Sequence, residues 1–267
     1  MASISISLAS EAVGAVGSFQ VRNTMLMAWL TMFLLFIVSA CVRATKYALV
    51  PSRFQAAVEI VLGSLYDLFA SILNQDRLTK QFFPMLATML LFIVLGNWIG
   101  ILPGVGTITI QAMHEGRMEA VPLLRSMNAD VNMTLAIAII AMFAVQFYGM
   151  WELGFRSYAG KFIVAPWKNP MGTFLGFLEV ISEFSRIISF TFRLFGNIFA
   201  GEVLLAVIAF LVPYIAPVPF LGMELLVGLI QGFVFALLTT VFLKIAVTEH
   251  DASHEDAPPA SSNHAMA

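Results

Sequence analysis

The residues able to do chemistry concentrate in one apolar stretch, 173–212. It carries Glu179, Glu183, Arg186, Arg193 and Glu202, with Ser182, Ser185, Ser189 and Asn197 between them. At about 100° per residue of helix, Glu179, Ser182, Arg186, Ser189, Arg193 and Asn197 fall on one face. That is a polar stripe along an otherwise apolar helix. An arginine at mid-membrane is costly, and it needs a partner, a water-filled cavity or a function. Glu183 and Arg186 are three residues apart; they either pair locally or belong to a path, and the residues alone leave both open. Arg193 differs, because its i−4 neighbour is Ser189, its i+4 neighbour is Asn197, and no acid lies within a turn. A guanidinium keeps its charge at any accessible pH. The missing anion is expected from another helix or another subunit.

The last apolar stretch, 220–247, adds Glu224 and Gln231, seven residues apart and so on one helix face. If this stretch and the preceding one form a hairpin around the prolines at 213, 217 and 219, Glu202 and Glu224 meet near the same turn, on the outer side. Two close carboxylates in a low dielectric resist joint ionisation, which suits taking up and releasing protons. A solvated pair at a loop rim is the alternative.

These residues need a scaffold, and the composition says it is a membrane. Hydrophobic residues make up 60% of the 267 and charged residues only 11%, with a mean hydropathy of +0.89. Soluble chains carry roughly 25% charged residues, so these few cannot cover a globule in water. A spanning helix needs about 20 mainly apolar residues. Five stretches qualify: 25–42, 82–102, 131–151, 173–212 and 220–247. Pro103 and Gly104 end the second, Pro166 and Pro170 mark a loop, and Pro213, Pro217 and Pro219 mark the last turn. The segment 53–73 reads differently: Phe54, Ala57, Val58, Val61, Leu62, Leu65, Leu68, Phe69 and Ile72 recur at helical spacing, with Glu59 and Asp67 opposite. This predicts an amphipathic helix lying on the membrane surface; a sixth crossing would have to bury two acids. At 1.5 Å per residue, 173–212 makes a helix of about 60 Å, against a hydrocarbon core of about 30 Å. Either it lies steeply slanted or its start lies outside.

The expected fold is therefore an all-α integral membrane protein. It has five membrane-embedded helices, one interfacial helix and a single membrane domain over 1–250. The polar tail 251–267 is expected to be disordered. No internal repeat is visible, which weakens an inverted-repeat transporter. No removable signal peptide is expected. The single cysteine, Cys41, excludes an intrachain disulfide and reads as a small buried packing residue. The net charge of −2 argues against nucleic acid as a partner. There is no G-x-x-x-x-G-K-[ST] loop and no His/Cys metal spacing in the spans, so no cofactor, metal or nucleotide chemistry is expected of this chain.

Several segments resemble subunit a of F-type ATP synthases: FRLFGNIFAGE at 192–202, LEVISEFSRIIS at 178–189, ADVNMTLA at 129–136, GNWIGILPG at 96–104 and LIQGFVFALLTTVF at 229–242. Together they run from the second span almost to the tail. The resemblance implies that the last two helices form a long, strongly tilted hairpin against a rotating ring of c subunits, whose carboxylate is the missing anion. It implies that Arg193 is the essential arginine separating two aqueous half-channels, and that the chain is a non-catalytic proton-path subunit of the bacterial plasma membrane. Asn197, Glu202, Glu224 and Gln231 match the outer half-channel; Glu179, Ser182, Ser185, Arg186 and Ser189 match the cytoplasmic one. Some relatives carry histidine where this chain has Glu224. The implied partners are the c ring, the b-subunit peripheral stalk, the rest of the synthase and lipid. The competing readings are a stand-alone transporter or channel, which would work without a partner, and an inert anchor.

Orientation follows from basic residues. Arg43, Lys46, Arg53, Arg77, Lys80, Arg156, Lys161, Lys168 and Lys244 fall on one side; Arg22, Arg117 and Arg125 fall on the other. Nine against three places the N-terminus outside and the C-terminus in the cytoplasm. A tag after His250 should react from the cytoplasmic side and one before Arg22 from the outer side. Labelling of both from one side would mean that 53–73 crosses as well.

Overall fold

The computed structural model describes residues 10–16, 19–44, 52–102, 104–105, 108–114, 117–155, 158, 170–213 and 215–248. The expected tail, Pro166, and the basic residues Lys46, Arg156, Lys161 and Lys168 lie outside the described residues. Six long helices dominate: α1 (Asn23–Ala44), α2 (Arg53–Leu73), α3 (Asp76–Ile101), α4 (Val131–Leu153), α5 (Pro170–Leu211) and α6 (Pro217–Thr248). All six are long and apolar enough to cross a membrane, α2 included. Two short antiparallel hairpins accompany them, β1 (Ala12–Val16) with β2 (Phe19–Arg22) and β3 (Thr109–His114) with β4 (Arg117–Pro122). Span-counting passes over both hairpins, although the alternating, β-branched run at 107–111 is a strand signal.

The helix ends follow local chemistry. Ser52 caps α2 by accepting from the Gln55 amide at 3.2 Å, and Asn74 closes it in the left-handed conformation (φ 54°). Asp130 caps α4 by accepting from the Asn132 amide at 2.9 Å. Proline opens both α5 and α6, where its missing N–H is no loss. Pro84 sits inside α3; the Thr88 hydroxyl donates to its carbonyl at 2.6 Å. Helix α3 begins at Asp76, six residues before the expected start of that span, because its first two turns are held under α2 rather than by apolar run length.

The bundle is organised around α3, α4 and α6. Leu86, Leu90 and Val94 of α3 pack with Ala236, Leu243 and Ala246 of α6. Phe235 of α6 joins Phe190 and Leu194 of α5 and Ala138, Ala141 and Met142 of α4. Helix α2 sends Leu65, Phe69 and Leu73 into the core beside Leu78 and Phe82, leaving Glu59, Ser64, Asp67 and Ser71 exposed. Its last turn is tied to α6, where Lys244 Nζ donates to the Ile72 carbonyl at 2.7 Å. Helix α1 is the least embedded: Met27, Ala28 and Thr31 are buried, while Trp29, Met32, Phe33 and Phe36 are exposed. Cys41, expected to be buried, is exposed as well, because the second half of α1 stands away from the bundle. Helix α5 runs unbroken for 42 residues, about 63 Å at 1.5 Å per residue. It pairs antiparallel with α6, with Phe190 against Phe242 and Phe235 and Gly201 against Glu224. An arm this long exceeds a hydrocarbon core of about 30 Å.

One seam depends on a missing side chain. At Gly100 a Cβ would stand 2.9 Å from the Ser126 Cα, so the 3-10 turn Met127–Ala129 and its flank can lie directly on α3. Gly63 on α2 faces open space. Gly100→Ala should cost about 1–3 kcal/mol by forcing backbone apart. Gly63→Ala should stabilise by about 0.5–1 kcal/mol by removing glycine's backbone entropy. Unfolding in mixed micelles measures both, and shifts of the same sign would contradict this packing.

Candidate functional site

Of the stripe on α5, the charges nearer the start of the helix are paired with one another. Arg186 donates to Glu183 Oε1 at 2.5 Å and lies 3.8 Å from Glu179 Oε1. Its guanidinium also sits 4.7 Å above the Phe242 ring of α6, a cation–π contact that strengthens when water is excluded. The local pairing left open by sequence spacing is therefore made, and Glu179 joins it. Ser182 is half-buried and Ser185 exposed on the same helix.

About two turns further on, Arg193 is exposed. Its Nη2 donates to Ser189 Oγ at 3.3 Å, and among the described residues no carboxylate reaches it. Ile188 and Phe192, nearby on α5, and Ile230 on α6 are exposed apolar side chains. The next residue of the stripe, Asn197, donates from Nδ2 to Gln231 Oε1 at 2.6 Å. This locks α5 to α6 beside the arginine. Gln231 is buried, and its Nε2 finds no partner.

Beyond Asn197 a cleft of about 460 Å³ opens, with Glu202, Glu224, Arg125, Ser126 and Leu221 among its lining. The hairpin brings both acids into it. Glu224 is 3% exposed and fits only because position 201 is glycine; a Cβ there would overlap its carboxyl group. Glu202 is not left facing Glu224 alone. Arg125, from the segment before α4, grips it with Nε to Oε1 at 2.8 Å and Nη2 to Oε2 at 3.2 Å. This is the two-pronged geometry that suits a guanidinium to a carboxylate. Arg125 is 8% exposed.

Arg125 is the residue whose role sequence reasoning misses, because charge counting only assigns it to an outer loop and says nothing of its pairing with Glu202. A usable signal exists: it is a single charge within the apolar run LLRSM, a few residues ahead of α4. A second missed group lies behind the cleft. Asn128 Nδ2 donates to Asn97 Oδ1 at 2.6 Å, and Asn97 Nδ2 donates to the Gly228 carbonyl at 3.1 Å. Both asparagines are fully buried. They fix α3 and the 3-10 turn against α6 at the level between Glu224 and Gln231. Trp98 Nε1 adds a bond to the Leu225 carbonyl at 3.0 Å. At the adjoining end of α4, the buried Asp130 also accepts from Ser10 Oγ at 2.5 Å and Thr24 Oγ1 at 3.1 Å, holding the N-terminal hairpin and α1 to the bundle. Among the described residues no cluster of three or more His, Cys, Asp or Glu side chains is placed to hold a metal.

A helical bundle with six membrane-length helices and a line of ionisable and amide side chains along its longest hairpin is an integral membrane protein organised around internal charge. Comparison with known sequences specifies which kind. The profile of the ATP synthase A chain family matches residues 25–244. ATP synthase subunit a of Geotalea daltonii is 34% identical over 224 residues, covering 83% of this chain and 86% of its own. That of Gloeobacter violaceus is 34% identical over 235 residues, covering 87% and 86%, and that of Helicobacter pylori 33% over 219 residues, covering 82% and 86%. The chain belongs to the ATP synthase A chain family.

The Arg125–Glu202 contact should be measurable in a double-mutant cycle. Arg125→Ala, Glu202→Ala and the double variant should reveal a favourable coupling of about 0.5–3 kcal/mol in the stability of the assembled protein. The single Arg125→Ala should be the worst, since it strands Glu202 beside Glu224. Strictly additive losses would contradict the pairing.

Proposed function

We propose that this chain is the proton-translocating stator subunit of the membrane sector of an F-type ATP synthase. It provides two aqueous half-channels to and from a carboxylate on a ring of c subunits. The observation that carries the reading is the unequal treatment of three arginines. Arg125 is held by Glu202 and Arg186 by Glu183 and Glu179. Arg193, between them along the hairpin, is exposed on an apolar surface and has no carboxylate on the described part of its own chain. Such a cation in a bilayer calls for an anion from outside, and the relatives' own names place them in ATP synthase.

On this reading the surface around Arg193 faces the ring. A ring carboxylate arriving protonated meets Arg193, gives up its proton and passes as an anion. Because the guanidinium stays charged, no proton hops across it. The cleft holding Glu202, Glu224 and Arg125 is the outer half-channel, with Asn197 and Gln231 at its inner end. Glu202 and Glu224 relay protons between that cleft and the ring. Arg125 balances the charge of one acid so that two can share a low-dielectric space. Glu179, Ser182, Ser185, Arg186 and Ser189 line the cytoplasmic half-channel. The exposed acids of α2 support its interfacial position, so that five crossings put the N-terminus outside and the C-terminus in the cytoplasm. Nucleotide chemistry is left to other subunits, with the c ring and the b-subunit stalk as neighbours.

Arg193→Ala should abolish ATP-driven proton pumping by the reconstituted synthase while the complex still assembles. Arg193→Lys should be badly impaired, because an ammonium is compact and strongly hydrated and lacks the planar fork. Pumping at the unmodified rate in Arg193→Ala would overturn the mechanism.

A further inference from the structure

Helix α1 is pinned to the bundle near its start, by Met27, Ala28 and Thr31, and most of its remaining length is exposed. Two apolar clefts result. One, of about 490 Å³, lies between α1, α3 and α4 and is rich in methionine: Met25, Met32, Met89 and Met133. The other, of about 610 Å³, lies between α1, α2 and α3, with Phe36, Val42, Val58 and Leu91 in its wall. The clefts share Leu35 and Thr88, so they adjoin. Space of this size is not left empty in a bilayer, because its lining would lose van der Waals partners. Methionine side chains adapt to flexible occupants.

What distinguishes the pair of clefts from ordinary lipid-facing surface is charge. Arg43, in the last turn of α1, lines the second cleft, whose wall contains no acid. Arg53 precedes Phe54 in the same wall. Among the described residues neither arginine has a carboxylate partner. Thr88, the shared polar residue, spends its hydroxyl on the Pro84 carbonyl, so it asks nothing of an occupant. We propose that these clefts form a binding site for one anionic glycerophospholipid. Its acyl chains lie along Met32, Leu35 and Leu91, and its phosphate and anionic headgroup are at Arg43 and Arg53. A guanidinium suits this role, since it presents paired donors to phosphate oxygens. The site would anchor α1 and α2, the two helices with the least protein packing. It stands whether or not ions pass through the hairpin on the other side of the bundle.

The test uses the whole synthase in vesicles containing either phosphatidylglycerol or phosphatidylcholine with the same diazirine-bearing acyl chain. After photolysis, adducts are mapped by mass spectrometry. Adducts on α1 and α3 peptides bordering the clefts should be at least about threefold more abundant with phosphatidylglycerol, whose phosphate carries a net negative charge, than with phosphatidylcholine, whose choline cation offsets the same phosphate and is repelled by the two arginines. On the exposed α5 surface around Phe210 the two lipids should label alike. Arg43→Gln should bring the cleft ratio close to one with the complex intact, and Arg43→Lys should keep most of it. Ala57→Trp, which fills the second cleft, should lower adducts from both lipids there. A ratio near one in the unaltered protein would overturn the proposal in favour of bulk lipid. So would a preference that survives Arg43→Gln. Clefts that give no lipid adduct would overturn it in favour of a helix from another subunit.

Discussion

A carboxylate or guanidinium inside hydrocarbon loses a hydration shell that no apolar side chain replaces, so each one must be compensated, wetted or put to use. Most of this architecture follows from how that requirement is met. Arg186 meets it within its own helix, through Glu183 and Glu179, and adds the Phe242 ring from α6. Arg125 and Glu202 meet it across the fold, one from the segment before α4 and one from α5. Glu224 is enclosed in the space that Gly201 leaves, with Arg125 across the same cleft. On the α5–α6 hairpin Arg193 differs from Arg186: among the described residues no carboxylate reaches it.

The compensation is geometric as much as electrostatic. Two-pronged pairing of Arg125 with Glu202 needs α5 and the α3–α4 connection held in register. Amide side chains do this, three of them buried. Asn97 and Asn128 join α3, the 3-10 turn and α6, and Asn197 with Gln231 joins α5 to α6. Amide pairs of this kind are unforgiving of displacement, because a buried donor or acceptor left unmade costs its full desolvation. Glycines at the contact points let the backbones approach closely enough for these short side chains to meet, as small residues do in membrane helix packing. Side chains on α3, α4 and α6 thus form a rigid frame, and the exposed surface of α5 is presented by it.

The periphery follows different rules. Helices α1 and α2 bury few side chains and are exposed over much of their length, so their positions depend on a few pins. These are Asp130 gathering Ser10 and Thr24, and Lys244 holding the end of α2.

Composition and apolar run length by themselves determined that the chain lives in a membrane, where its helices lie and that 173–212 is too long for an upright crossing. These properties are additive along the chain and need no tertiary information. Helical spacing likewise put Arg193, Ser189 and Asn197 on one face and Glu183 within reach of Arg186, because neighbours within a turn are set by helix geometry alone. What the sequence could not reveal was any partner more than a turn away. It could not say that Arg125 belongs to Glu202 rather than to a loop, or that Asn97 and Asn128 bind across to α6. Nor could it say that Glu224 is sealed behind Gly201, or that the connections before α1 and before α4 fold as hairpins. Those contacts join residues tens of positions apart, and each exists only because the helices between them pack in one arrangement. The membrane was written into the side-chain chemistry; which charge is answered from within the chain, and which is left for something outside it, was decided by packing.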